Sequence, residues 1–138
     1  MGEGLERFVQ AQRSGYEQAL AELQAGAKRT HWMWFIFPQI AGLGRSSTAR
    51  FYAIADAVEA SAYLAHAVLG PRLRECTEAM LGWAGRNSAE AILGPIDAVK
   101  FVSSMTLFDA VADGDEPYAR ALAAFNHGER DPLTLDRL

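Results

Sequence analysis

Apolar positions recur at helical spacing along nearly the whole chain. Leu5, Phe8, Val9, Gln12, Tyr16, Leu20 and Leu23 form one stripe stepped by threes and fours, which predicts an amphipathic helix. Gly26 stands where a C-cap glycine belongs, with Lys28 and Arg29 just beyond it. Gly15 is a weak point inside that helix, at roughly 1 kcal/mol relative to alanine. Thr30 is placed to cap a short helix over 31–37, which Pro38 stops because the residue before a proline is pushed out of the α region. Residues 39–45 read as a loop, and Ser46 or Ser47 caps the next helix. Phe51, Ile54, Ala55, Val58 and Ala62 continue its apolar face. Asp56 with Glu59 three residues on resembles a capping box, so this stretch also reads as two helices meeting at an angle.

Gly70-Pro71 marks the next break, with Pro71 suited to the first turn of a helix. Leu73, Cys76, Thr77, Met80, Leu81 and Ala84 form that helix's buried side. A turn follows at 85–87, Ser88 caps a short helix, and Pro95 opens another with Asp97 in its first turn. Ala98, Phe101, Val102, Met105, Phe108 and Ala112 face inward from it. A loop at 113–115 leads to a helix from Pro117 with Tyr118, Leu122 and Phe125 on one face, and 128–138 reads as one loose surface turn. No segment alternates as a strand would; only 35–40 comes close, and Pro38 opposes it. The expectation is a single all-α domain over 1–138, an irregular assembly of roughly six to eight short helices. Phe8, Trp34, Phe51, Leu73, Cys76, Met80, Phe101, Met105 and Phe108 are its predicted core.

Composition narrows the function classes. Half of the 138 residues are apolar and 22% are charged, which excludes a disordered chain. A formal net charge of -4 disfavours a nucleic-acid binder, which usually carries a basic stripe. One cysteine, Cys76, leaves no intramolecular disulfide and no Cys-rich zinc site, and its apolar stripe without an adjacent histidine suits an inert core thiol. No HxxxH, HExxH or carboxylate cluster has metal-ligand spacing, and no cofactor motif is present, so neither a metal nor a cofactor is expected. The start of the chain does not read as a signal peptide, and no apolar run approaches the ~20 residues that span a bilayer. A cytoplasmic protein with no membrane partner is the expectation. Its oligomeric state is open, a monomer being the favoured reading.

The densest chemistry lies in 30–54, THWMWFIFPQIAGLGRSSTARFYAI. His31 and Trp34, three apart, share a helix face, and Trp32 points elsewhere. The tryptophans either stack a planar ring or plug the core; His31 either acts as a donor or acid/base, or caps backbone. Gly42-Leu43-Gly44-Arg45-Ser46-Ser47 runs into a helix start, where free N–H groups with Arg45 and Arg50 favour an anion, unless it is an ordinary serine-capped turn. Gln39 stands between aromatic wall and loop, suited to a ligand's polar edge. Arg72, Arg74, Glu75 and Glu78 decorate one helix either as solvated ion pairs or with Glu75 as a general base that activates water. Lys100, Ser103 and Ser104 share a polar face that lines a cavity or meets another helix. Together these residues suggest a small phosphorylated, nucleotide-like ligand, with Glu75 and His31 as catalytic candidates. Trp32, Trp34, Gln39, Arg45, Arg50 and Lys100 are the binding candidates, expected to converge on one concave surface. Hydrolysis of an N-glycosidic bond is the concrete version, and a non-catalytic helical interaction module the alternative.

The blocks AGAKRTHWMWFIFPQIAGLGRSSTARFYAI, YLAHAVLGPRLRECTEAML and ILGPIDAVKFVSSMTLF resemble the bacterial domain of unknown function 1810, whose members are often mislabelled calpastatin. The resemblance runs from about Leu5 to Leu135 and implies an all-helical single domain without an established activity. A calpastatin role does not fit, because the chain lacks the disordered repeats of such an inhibitor. A looser similarity, of style alone, is to helical domains thought to cleave N-glycosidic bonds in ADP-ribose-related compounds; it transfers no residue.

Overall fold

The computed structural model describes residues 3–114 and 116–138, so the loop expected at 113–115 lies partly outside the described residues. The chain runs as α1 (Glu3–Ala25), α2 (Met33–Ile36), α3 (Ser47–Phe51), α4 (Ala57–Ala65), α5 (Leu69–Leu81), α6 (Ala89–Leu93), α7 (Pro95–Val111), α8 (Tyr118–Asn126) and α9 (Pro132–Leu135). The all-α expectation holds. The segment 35–40 contributes to one isolated parallel bridge, Ile40 with Ile54, and to no sheet.

Helix α7 is the axis, packing against α4, α6, α8 and α9, while α1 packs on α2 and α5. Residues 103–108 of α7 are buried without interruption, as expected for a helix surrounded on all sides. Its hydroxyls find local acceptors where they can. Thr106 Oγ1 donates to the Val102 carbonyl at 2.8 Å, and Ser103 Oγ donates to Asp131 Oδ2 at 2.9 Å. Around α7 the aromatic rings meet edge to face at Phe101, as with Phe37 at 4.9 Å and 85°, and tilted at Phe108.

Several helix ends form as their residues dictate. Ser46, Asp56 and Ser88 accept from the backbone N–H three residues on. Glu59 reaches back to the Ala55 N–H at 2.8 Å, closing the expected capping box one residue early. Gly26 takes φ +74° at the end of α1, and Trp83 lies so close that a Cβ there would stand 2.8 Å from its indole. At Gly70 a Cβ would stand 2.2 Å from the Leu64 carbonyl oxygen, so α4 and α5 meet backbone to backbone.

Five local expectations are corrected. Gly15 does not interrupt α1, because the Phe35 ring packs over it, 3.0 Å from where a Cβ would be. Thr30 does not cap α2, because that helix starts only at Met33 with Trp32 in the N-cap position; the Thr30 hydroxyl instead donates to Glu22 Oε2 at 2.7 Å. Phe51 is 56% exposed and Val58 78%, because α3 ends at Phe51 and the helical period restarts in α4 on another axis. Trp34 is half-buried rather than core, since its ring faces the Lys100 ammonium at 5.6 Å. The C-terminal stretch is no loose turn: Asp131 caps α9, Thr134 is buried, and α9 packs on α7.

Candidate functional site

The aromatic block is consumed mainly in packing. Trp32, Met33, Ile36 and Phe37 are all buried. Trp32 Nε1 donates to Glu22 Oε1 at 2.9 Å, and the same carboxylate, itself buried, accepts from the Arg29 and Thr30 N–H groups at 2.6 and 3.0 Å and from Gln18 Nε2 at 2.7 Å. Burial alone would raise the Glu22 pKa, but these donors outweigh it and hold the carboxyl well below the usual glutamate range. Glu22 therefore anchors the 28–32 turn to α1. Beside it Asp97 lies between two lysines, 3.0 Å from Lys28 Nζ and 3.7 Å from Lys100 Nζ, with Lys28 over the Trp32 ring.

Trp34, Gln39 and Lys100 do come together, around a depression that Gly44 and Tyr52 also line. Its free volume is about 10 Å³, room for a single water. His31, Arg45 and Arg50 are exposed and line no part of it. The Gly42 face of the loop is covered by the Arg137 guanidinium, and the α3 start is capped by Ser46 Oγ on the Ala49 N–H at 3.0 Å.

Glu75 lies in a different place, on α5 beside α1, next to a much roomier cleft. That cleft, of about 420 Å³, is lined by Gln12, Arg13, Ser14, Tyr16, Glu17, Leu20 and Arg72. Arg72 also lines a second, open hollow of about 500 Å³ with Arg74, Glu75 and Glu78, so its guanidinium stands on the ridge between the two. The guanidinium lies over the Tyr16 ring, 4.5 Å from its centroid, and donates to Gln12 Oε1 at 3.4 Å. Gln12 is 2% exposed, and its Nε2 donates to the Phe35 carbonyl at 2.8 Å and to Tyr63 Oη at 3.2 Å. Both amide protons are thus committed inward, which turns Oε1 toward Arg72.

Tyr16 donates its hydroxyl to Glu75 Oε1. Burial first, and then that hydrogen bond, raise the Tyr16 pKa far above its ordinary value, so it remains a neutral donor. The expected pairs within α5 are not made. Arg74 binds Glu116 at 2.7 Å, and Glu78 binds Arg120 at 2.9 Å. Among the described residues no carboxylate pairs with Arg72. Cys76, behind the cleft, is sealed, and burial above all pushes its thiol up to about 12.

From the sequence, Gln12 and Tyr16 read only as members of the α1 stripe and Arg72 only as an ion-pair candidate; none of the three reads as a ligand-binding residue. One signal was available for Gln12: a polar amide in the middle of an otherwise apolar stripe between Phe8 and Tyr16. Glu22, next to Leu23, carried the same kind of signal.

The model of one protein family, described as protein of unknown function (DUF1810), matches residues 2–138. The chain belongs to the DUF1810 family. Its fold also matches a crystal structure of a conserved hypothetical protein, Rv1873 from Mycobacterium tuberculosis, with a TM-score of 0.95 and 45% identity. That match covers 100% of this chain and 98% of the other. A comparison with curated proteins finds no significant match. No helix among the described residues of this DUF1810 chain is long and apolar enough to cross a membrane.

Proposed function

We propose that this DUF1810 protein binds a small phosphorylated, nucleotide-like molecule in the α1/α5 cleft, with an anionic oxygen on Arg72. The observation that carries this reading is the state of Arg72: a half-buried guanidinium, oriented by a buried amide and an aromatic ring, with no carboxylate partner among the described residues. A planar, pre-oriented fork of donors is the group best matched to phosphate. Arg13 and Ser14 at the rim add a second charge and a hydroxyl, and the cleft volume falls in the range of small-molecule sites.

The catalytic form of this reading is hydrolysis of an N-glycosidic bond. With the phosphate on the Arg72 ridge and the ribose reaching over it into the hollow that Glu75 lines, Glu75, held by the Tyr16 hydroxyl, takes a proton from water as the oxygen attacks the anomeric carbon. The C–N bonding pair leaves with the base, whose nitrogen takes a proton from solvent.

Calorimetric titration with inorganic phosphate, ribose 5-phosphate, AMP, ADP-ribose and NAD tests the binding. At least one phosphorylated compound is expected to bind saturably, with Arg72→Ala weakening it by about 10-fold or more. Release of free base, lost in Glu75→Gln with binding retained, marks the hydrolase. A non-catalytic interaction module is the second reading, favoured by the burial of Trp32, Met33, Ile36 and Phe37 within the core. Silence from every compound in a folded protein leaves that reading standing and removes the first.

A further inference from the structure

On another face of the molecule, α6, α7 and α8 enclose a groove of about 140 Å³. We propose that it binds a small aliphatic amine as its ammonium ion. Two kinds of wall meet there. Ala98, Val102 and Phe125 form an apolar floor, and Glu90 and Asp131 supply carboxylates. The volume is close to that of cavities that admit benzene, enough for a chain of a few methylenes.

Neither carboxylate has a cationic partner among the described residues. Asp131 is fixed by its Oδ2, which accepts from Ser103 Oγ at 2.9 Å and from the Thr134 N–H and hydroxyl at 3.2 and 2.5 Å. Its Oδ1 has no partner among the described residues. Ser103 is buried, so this anchor belongs to the fold and is not an accident of the surface. Glu90 makes no ion pair among the described residues, and the cations on α7 and just before α9 are engaged elsewhere: Lys100 with Asp97, Arg130 with Asp109. An apolar slot bordered by two unneutralised carboxylates complements a molecule with an alkyl body and a cationic head. A neutral alkane satisfies only the floor, and an anion is repelled.

The test is titration with a homologous series, ethylamine to hexylamine, near neutral pH, with n-butanol as the uncharged control. Saturable binding is expected, tightening by about fourfold per methylene until the groove is full, with butanol at least about 10-fold weaker than butylamine. Two variants at exposed positions leave the fold intact. Glu90→Gln is expected to weaken butylamine several-fold. Val99→Lys, at a groove residue that is 65% exposed, places an internal ammonium beside the carboxylates and is expected to abolish binding. Butanol matching butylamine, no saturation by any amine, or undiminished binding in Val99→Lys would each overturn the proposal.

Discussion

The indole nitrogen of Trp32 donates to the carboxylate of Glu22 at 2.9 Å, ten residues away and out of water. An apparent ligand-binding tryptophan is thereby a structural one, and the carboxylate it contacts carries much of the turn. Glu22→Ala leaves several buried donors without an acceptor and is expected to lower stability by about 3–5 kcal/mol. Urea unfolding measures it, and a loss under about 1 kcal/mol would refute the anchoring role.

The same carboxylate sets an acid limit. Its pKa is depressed in the folded state, so its contribution is fully present above the unfolded value of about 4.3 and is lost as pH falls below it toward the folded value. Wild-type stability should therefore decline below about pH 4 more steeply than that of Glu22→Gln, whose curve lacks this component. Parallel curves for the two proteins would count against the depressed pKa.

Cys76 should ignore thiol reagents in the native protein. With burial raising its pKa to about 12, thiolate is scarce at neutral pH and the sulfur is sealed. Labelling should follow the unfolding transition. Because this pKa is raised, the associated stability is intact below about pH 8.5 and is lost as pH climbs toward 12. Rapid native-state labelling at pH 7 would contradict this.

Gly70→Ala should destabilise by about 2–3 kcal/mol, since the new methyl would meet the Leu64 carbonyl oxygen at 2.2 Å and a backbone oxygen cannot move aside. A thermal-denaturation midpoint equal to wild type would show that α4 and α5 slide apart freely.

Phe101→Ala should cost about 3–5 kcal/mol through the cavity it leaves, whereas Phe51→Ala, at a residue 56% exposed, should change stability by about 0.5 kcal/mol or less. Similar losses at both positions in denaturant melts would mean that burial does not rank these aromatics.

The contrast between those two phenylalanines marks how much was legible in advance. Long elements, α5 with its sustained period and α7 with its dense apolar run, placed Leu73, Met80, Phe101 and Phe108 correctly, because the signal extends over several turns. Phe51 was misplaced because α3 is five residues long, too short for its period to carry over into α4. The candidate site was less legible still. His31, Arg45 and Arg50 are conspicuous in composition yet exposed, while Arg72 and Tyr16 are ordinary residues whose meaning comes from the packing of α1 on α5. Only the buried amide at position 12, polar on an apolar stripe, pointed toward that cleft from the sequence.

Gln12 joins the core to the α1/α5 cleft. Its amide protons read the Phe35 carbonyl and the Tyr63 hydroxyl, and its oxygen sets where Arg72 stands. A laboratory selection for altered occupancy of the α1/α5 cleft would therefore be expected to return substitutions deep in the interior, at Tyr63 or around Phe35, as well as at the rim. The position of Arg72 in the cleft is set from the core, and the two cannot drift independently.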